Sequence, residues 1–229
     1  MSIQTFLYWV SLWLSGVETI RSSKKDALLD AAIRSYAESG EQGLTTKNLA
    51  KVAGCSEALI YRHFKSKDDL LRACFLRLHY RANDYLGPIE PPENPSISEM
   101  VSISKAYWIK AFKFFIDAGQ ESLFFFWFRM SDYYLELLEQ GAEDITKARH
   151  ISFMNMMEEM RVRFHLDISP DHYRTYIVFA TGTFATQVLT GKLPATDESY
   201  DMMADLLIGG LMTTFPGYSL TKITKMNEQ

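Results

Sequence analysis

Only two cysteines, Cys55 and Cys74, occur in the 229 residues. They are too few for a disulfide framework or a C-x-x-C metal site, and they suit a reducing compartment, so the chain is expected in the cytoplasm. No apolar run reaches the roughly 18 to 20 residues of a membrane-spanning helix, and no stable membrane association is expected. The sequence has no G-x-S-x-G elbow and no Gly-rich phosphate loop, and its five histidines form no H-E-x-x-H pair. Catalysis, a metal and a cofactor are therefore not expected; Arg161, Arg163 and His165, or Asp171 and His172, read more simply as solvated helix ends. No stretch alternates polar and apolar residues long enough to make a strand. Proline is scarce, and four of the seven fall between Gly87 and Pro95, in GPIEPPENP, the clearest connector in the chain.

What the sequence does contain is helical periodicity, which predicts an all-α chain with two domains. A capping-box-like Ser23-Lys24-Lys25-Asp26 opens a first helix with Leu28, Leu29, Ala32, Ile33 and Tyr36 as its apolar stripe, ending at Gly40. Further helices are expected from Ser66 to about Leu86, from Ser96 to Ala118, over 121 to 140, from Ala142 to Phe164, from Asp171 to Leu189 after the cap-then-proline pair Ser169-Pro170, and from Glu198 to Phe215. Before residue 21 an apolar segment repeats Phe6, Val10, Trp13 and Val17 at helical spacing. It reads as an extra helix packed on its own domain or a partner, or as a membrane-surface anchor; a third reading starts translation later, for instance at Val17.

Charge separates the two parts. Residues 21 to 80 carry eleven Lys or Arg against seven acids, whereas residues 81 to 229 carry thirteen against twenty. A basic end on an acidic body suits a protein that offers one end to a polyanion.

Within the basic part, Thr45 to Phe64 reads TTKNLAKVAGCSEALIYRHF, two short helical patterns joined by a small-residue turn. Thr45 or Thr46 can cap the first, Gly54 supplies the left-handed residue of a sharp turn, and Ser56 can cap the second. Ile60 and Phe64 share an inward face, leaving other faces of the second helix for whatever the motif binds. The run LAKVAGCSEALIYRHFKSKDDL, Leu49 to Leu70, resembles the DNA-binding signature of TetR-type transcriptional regulators: the small turn, the Ser-capped recognition helix, Tyr-x-His-Phe, and Ser-Lys before a long helix. It departs from the usual pattern at Cys55, Glu57 and Leu59, which bears on the operator read.

The resemblance implies a helix-turn-helix domain over 21–65, a connecting helix and linker over 66–95, and a ligand-binding and dimerisation domain over 96–229. It also implies a homodimer on a palindromic double-stranded operator that represses or activates transcription, with a repressor as the simplest case. Thr45 or Thr46, Tyr61, His63 and Lys67 would meet the DNA backbone, since hydroxyls, His, Lys and helix N-terminal N–H groups all donate to phosphate. Base reading would fall to Glu57, Ala58, Leu59 and Arg62, with Arg62 suited to a guanine edge. The last two long helices, about 171–189 and 198–215, would pair with their copies. The rival reading is a helical small-molecule carrier or enzyme whose motif has lost DNA binding.

Between Tyr107 and Tyr134 stand twelve of the chain's 31 aromatics. Five consecutive rings, Phe124 to Phe128, cannot share one helix face, so the segment is either enclosed on all sides or lends rings to a cavity. Trp108, Phe112, Phe125, Trp127, Phe128 and Tyr133, with Met154 from a Met-rich stretch, are the candidates to line a site for a largely apolar or aromatic effector.

Overall fold

The computed structural model describes residues 24–89, 92–139, 161–163 and 169–212, except for the side chains of 170, 171, 173 and 174. Expectations for residues 1–20, Met154, the helix from Ala142 (apart from 161–163) and the turn ending the last helix lie outside that range. All regular structure among the described residues is helical. One unit ends at Leu71 and the other begins at Arg72.

In the first unit α1 (Lys24–Ser39) buries Leu28, Leu29, Ala31, Ala32, Ile33 and Ser35. A 3-10 turn (Gly40–Gly43) follows, where Gly43 is needed because a Cβ would stand 2.4 Å from the Ser35 carbonyl oxygen. Helices α2 (Thr46–Ala53) and α3 (Glu57–His63) are the expected pair. Leu49, Ala50, Ile60 and Phe64 close the core beneath them. Helix α4 (Lys67–Leu86) contains the division between the units; the Ser66 hydroxyl caps it by accepting from the Asp69 N–H at 3.1 Å.

The second unit packs the rest of α4 with α5 (Ile97–Asp117), α6 (Gln120–Arg129), α7 (Asp132–Glu139), α8 (Pro170–Leu189) and α9 (Asp197–Met212). The expected start at Ser96 is a complete capping box: its hydroxyl accepts from the Glu99 N–H at 3.2 Å, and the Glu99 carboxylate accepts from the Ser96 N–H at 2.8 Å. Met100, Tyr107, Trp108, Ala111 and Phe112 of α5 meet Ile177, Phe184 and Val188 of α8 and Tyr200, Ala204, Leu207, Ile208 and Leu211 of α9 in one apolar cluster. Ion pairs fasten its rim, Lys105 to Asp201 and Asp205 at 2.9 and 2.7 Å, and Lys113 to Asp197 at 2.8 Å.

The helix expected over 121 to 140 is two helices. A break lies inside it at Met130 and Ser131, while the stop expected near Gly141 lies outside the described residues: the Ser131 hydroxyl donates to the Phe128 carbonyl at 2.6 Å, and the Met130 and Ser131 N–H groups bond back to Trp127 and Phe128. That local bonding turns the chain with neither glycine nor proline.

Candidate nucleic-acid interface and effector cavity

The turn of the motif is built by backbone bonding. Gly54 lies at φ 65°, ψ 37°, and the N–H groups of Gly54 and Cys55 bond to the carbonyls of Lys51 and Ala50 at 3.2 and 2.9 Å. This is a Schellman closure, in which the left-handed residue spends the helix's last carbonyls. Upstream, the Thr45 hydroxyl caps α2 by accepting from the Asn48 N–H at 3.2 Å, while the Asn48 side chain donates to the Gly43 carbonyl at 2.8 Å. Ser56 sits at the N-cap of α3 but makes no side-chain cap bond. Instead the Thr46 hydroxyl donates to the Glu57 carboxylate at 2.8 Å, tying the start of α2 to the start of α3.

Helix α3 is anchored through Ile60, with Phe64 just beyond it, and Leu59 is half-buried. Thr45, Glu57, Ala58, Tyr61, Arg62 and His63 are exposed, Tyr61 to 57%. A large ring that exposed next to Arg and His gains nothing from the core, and suits contact with a partner. Thr46 and Lys67 are half-buried, and Lys67 is the first residue of α4. Exposed Lys47, Lys51 and Lys65 add positive charge.

The second unit holds two adjoining spaces. A cavity of about 60 Å³ is walled by rings including Tyr107, Trp108, Phe115, Phe125 and Phe126, with His79, Asn83, Thr181 and Arg129 as its polar members. Next to it is an open groove of about 460 Å³ between α7 and α8, lined by Tyr134, Leu135, Leu138, Thr175 and Phe179 among others. His79 and Asn83, both buried, stand one helical turn apart with Nε2 and Nδ2 3.1 Å apart. Burial pushes the Tyr107 phenol up, so it stays protonated at neutral pH. Among the described residues no three His, Cys, Asp or Glu side chains are grouped to hold a metal ion.

Residues 28–74, which span this motif, match the model for bacterial regulatory proteins of the tetR family. These residues form a TetR-type helix-turn-helix domain. The HTH-type transcriptional regulator SAB2452 of Staphylococcus aureus is 24% identical over 164 residues, 65% of this chain and 87% of that one. The nucleoid occlusion factor SlmA of Actinobacillus pleuropneumoniae is 35% identical over 66 residues, but that covers 29% of this chain and 33% of SlmA. A solved TetR family regulator from Marinobacter aquaeolei superposes with a TM-score of 0.63 at 19% identity, over 81% of this chain and 94% of that one, a likeness of fold alone. No helix among the described residues is long and apolar enough to cross a membrane.

In the second unit the aromatic segment is mostly enclosed. Phe124, Phe125, Phe126 and Phe128 are buried and only Trp127 of the five is half-buried. Of the expected effector residues, Trp108 and Phe125 lie on the cavity wall. Phe112 and Phe128 are fully buried, Phe112 against Phe184 and Phe128 against Phe75; Trp127 and Tyr133 pack on each other with centroids 5.9 Å apart. The cavity's polar members were not foreseen, although His79 and Asn83 interrupt the apolar stripe of α4 at helical spacing, a signal readable in the sequence.

The apolar residues of α8 and α9, the two helices that the resemblance expects to pair with their copies, divide in two. Ile177, Phe184, Val188, Leu207 and Leu211 are buried in their own subunit's core, whereas Phe179, Met202 and Leu206 are exposed to 59, 60 and 62%. The glycines of these helices divide as well: a Cβ on Gly182 would stand 2.8 Å from the Phe126 ring and one on Gly210 2.4 Å from the Tyr176 hydroxyl, while one on Gly209 meets open space.

Proposed function

We propose that this regulator is a homodimeric repressor that binds a palindromic operator and leaves it when a small, largely apolar molecule enters the second unit. The observation that carries the reading is the exposed Tyr61-Arg62-His63 surface of α3, held on a core helix pair within the matched TetR region. In this reading Thr45, Thr46, Tyr61, His63 and Lys67 bind phosphates, and Arg62, Glu57, Ala58 and Leu59 face base edges. Glu57 has a second task, since its carboxylate accepts from Thr46 and so fixes the entry of α3.

The dimer face in this reading is the exposed stripe Tyr176, Phe179 and Thr183 of α8 with Met202, Leu206 and Gly209 of α9. Successive members stand three or four residues apart, so each set lies on one helix side. Residues 21–65 bind DNA, 96–229 bind effector and partner, and α4 carries the coupling, because its residues belong to both units. An effector acts only through its differential affinity for the DNA-competent state, so one that weakens operator binding tenfold binds the DNA-bound protein about tenfold more weakly, roughly 1.4 kcal/mol of coupling. The cytoplasm is the compartment this function requires. Titration of the protein onto a palindromic fragment of its own upstream region, with and without candidate effectors, tests the reading.

A further inference from the structure

Lys47, Lys51, Arg62 and Lys65 are exposed on the helix-turn-helix and favour any phosphate, but the first residue of α3 is an exposed carboxylate, Glu57. It stands four residues before exposed Tyr61, so the two share one side of α3. Against a duplex backbone a carboxylate is only a penalty, because phosphates offer it no donor. In the major groove it is a filter. Guanine presents N7 and O6 and thymine presents O4, all acceptors that oppose a carboxylate, and only the amines of cytosine and adenine donate. The amine of an A·T pair lies between two acceptors, N7 and O4, whereas that of a C·G pair has the guanine acceptors on one side only. A C·G pair therefore suits Glu57 best.

A filter needs a fixed position, and an exposed Glu side chain is by itself free to change rotamer. Here its Oε2 accepts from the Thr46 hydroxyl at 2.8 Å. Thr46 is β-branched, half-buried and the first residue of α2, so its hydroxyl comes from a stiff support. That support is itself tied down. Thr45 caps α2, and the Asn48 side chain donates to the Gly43 carbonyl at 2.8 Å and to the Ser35 hydroxyl at 3.3 Å. A hydroxyl has one hydrogen, so while Thr46 donates to Glu57 its side chain cannot also donate to phosphate; its phosphate contact falls to the backbone N–H at the start of α2. A carboxylate has about four acceptor sites, so one bond from Thr46 leaves Glu57 able to accept from a base amine.

Resting on the DNA-binding reading above, we propose that Glu57 is a specificity-determining residue that selects a C·G pair, through the cytosine amine, at one position of each half-site, and that Thr46 is its positioning residue. The acidic side chain excludes edges that offer only acceptors, and the bond from Thr46 aims it.

Selection from a library of palindromes with randomised half-sites, using the full chain, gives its half-site, and affinity ratios on single-pair variants of that site give the preference at each position. The unaltered protein should favour C·G over A·T at one position by roughly five- to hundredfold. Glu57→Gln should move the preference at that position to A·T, because an amide both accepts and donates and pairs bidentately with adenine. Thr46→Val, which keeps the side-chain shape, should lower the C·G to A·T ratio severalfold at the same position, and Thr46→Ser, which keeps the hydroxyl, should restore most of it. A thermal melt reports whether each variant is folded, and Glu57→Gln, a change at an exposed side chain, carries the test if Thr46→Val is not. An A·T pair selected by the unaltered protein at the position that Glu57→Gln alters, or base preferences that Glu57→Gln leaves unchanged throughout the half-site, would overturn base reading by Glu57. A loss for Thr46→Val that is equal on the C·G and A·T versions would overturn its positioning role. Failure of the library to yield any site would contradict the DNA-binding reading itself and take the role of Glu57 with it, an outcome distinct from a selected site that ignores Glu57.

Discussion

Arg62 and Lys67 separate the two ways a protein can hold DNA. Arg62 is exposed on the outer side of α3, whereas Lys67 opens α4 among helix N-terminal N–H groups. Arg62→Ala should cost about 1 to 3 kcal/mol on the cognate site and little on scrambled DNA. Lys67→Ala should weaken both about equally and lower the salt slope by roughly one. Competition titrations at two salt concentrations distinguish them, and equal losses on cognate and scrambled DNA for Arg62→Ala would remove it from base reading. Much of this site is readable from sequence, because Thr45, Gly54, Ile60 and Phe64 do their work through local bonding or helical spacing. The Thr46–Glu57 bond is not, since it joins residues eleven apart whose approach depends on how the turn closes. Thr181 is the same case in the second unit: only packing could show a buried hydroxyl on a cavity wall.

Element starts were legible wherever a cap stands in the sequence, as at Thr45, Ser66, Ser96 and Ser169. The break between α6 and α7 was not, because Met130 and Ser131 are compatible with a helix and only the bonding to Trp127 and Phe128 turns the chain there. The enclosure of α6 was legible only as an alternative. Five consecutive rings demand either neighbours on every side or a cavity, and the sequence does not say which helices supply them. Here α8 supplies one, approaching so closely at Gly182 that a methyl group would enter the Phe126 ring. Gly182→Ala should therefore destabilise the protein by about 1 to 3 kcal/mol despite the better helix propensity of alanine, as overpacking of a core does. A denaturant titration checks this, and an unchanged midpoint would mean that the α6–α8 contact is looser than the structure shows.

For the whole molecule, α9 was the hardest element to read, since it is apolar on two sides. Adjacent residues take opposite roles: Leu207 is fully buried in its own subunit and Leu206 is 62% exposed. Periodicity shows two apolar faces and cannot say which one a partner covers. Leu206→Glu should give a folded monomer that has lost operator binding, because half-sites are read only by two motifs at fixed spacing. Leu207→Glu should instead disrupt the subunit itself by burying a charge in its core. Sedimentation and a thermal melt on both variants check the assignment, and a dimer that survives Leu206→Glu would displace the interface from this stripe.

The account rests on a dimer that places two copies of α3 on successive turns of DNA. The most direct test is to titrate the full chain onto a palindromic fragment from its own upstream region and onto the same fragment with about five base pairs, half a helical turn, inserted between the half-sites. The account predicts tight, salt-dependent binding to the first, loss of that binding on the second down to the level of scrambled DNA, and protection of two half-sites about one helical turn apart. Equal affinity for the palindrome, the spaced variant and scrambled DNA would contradict it.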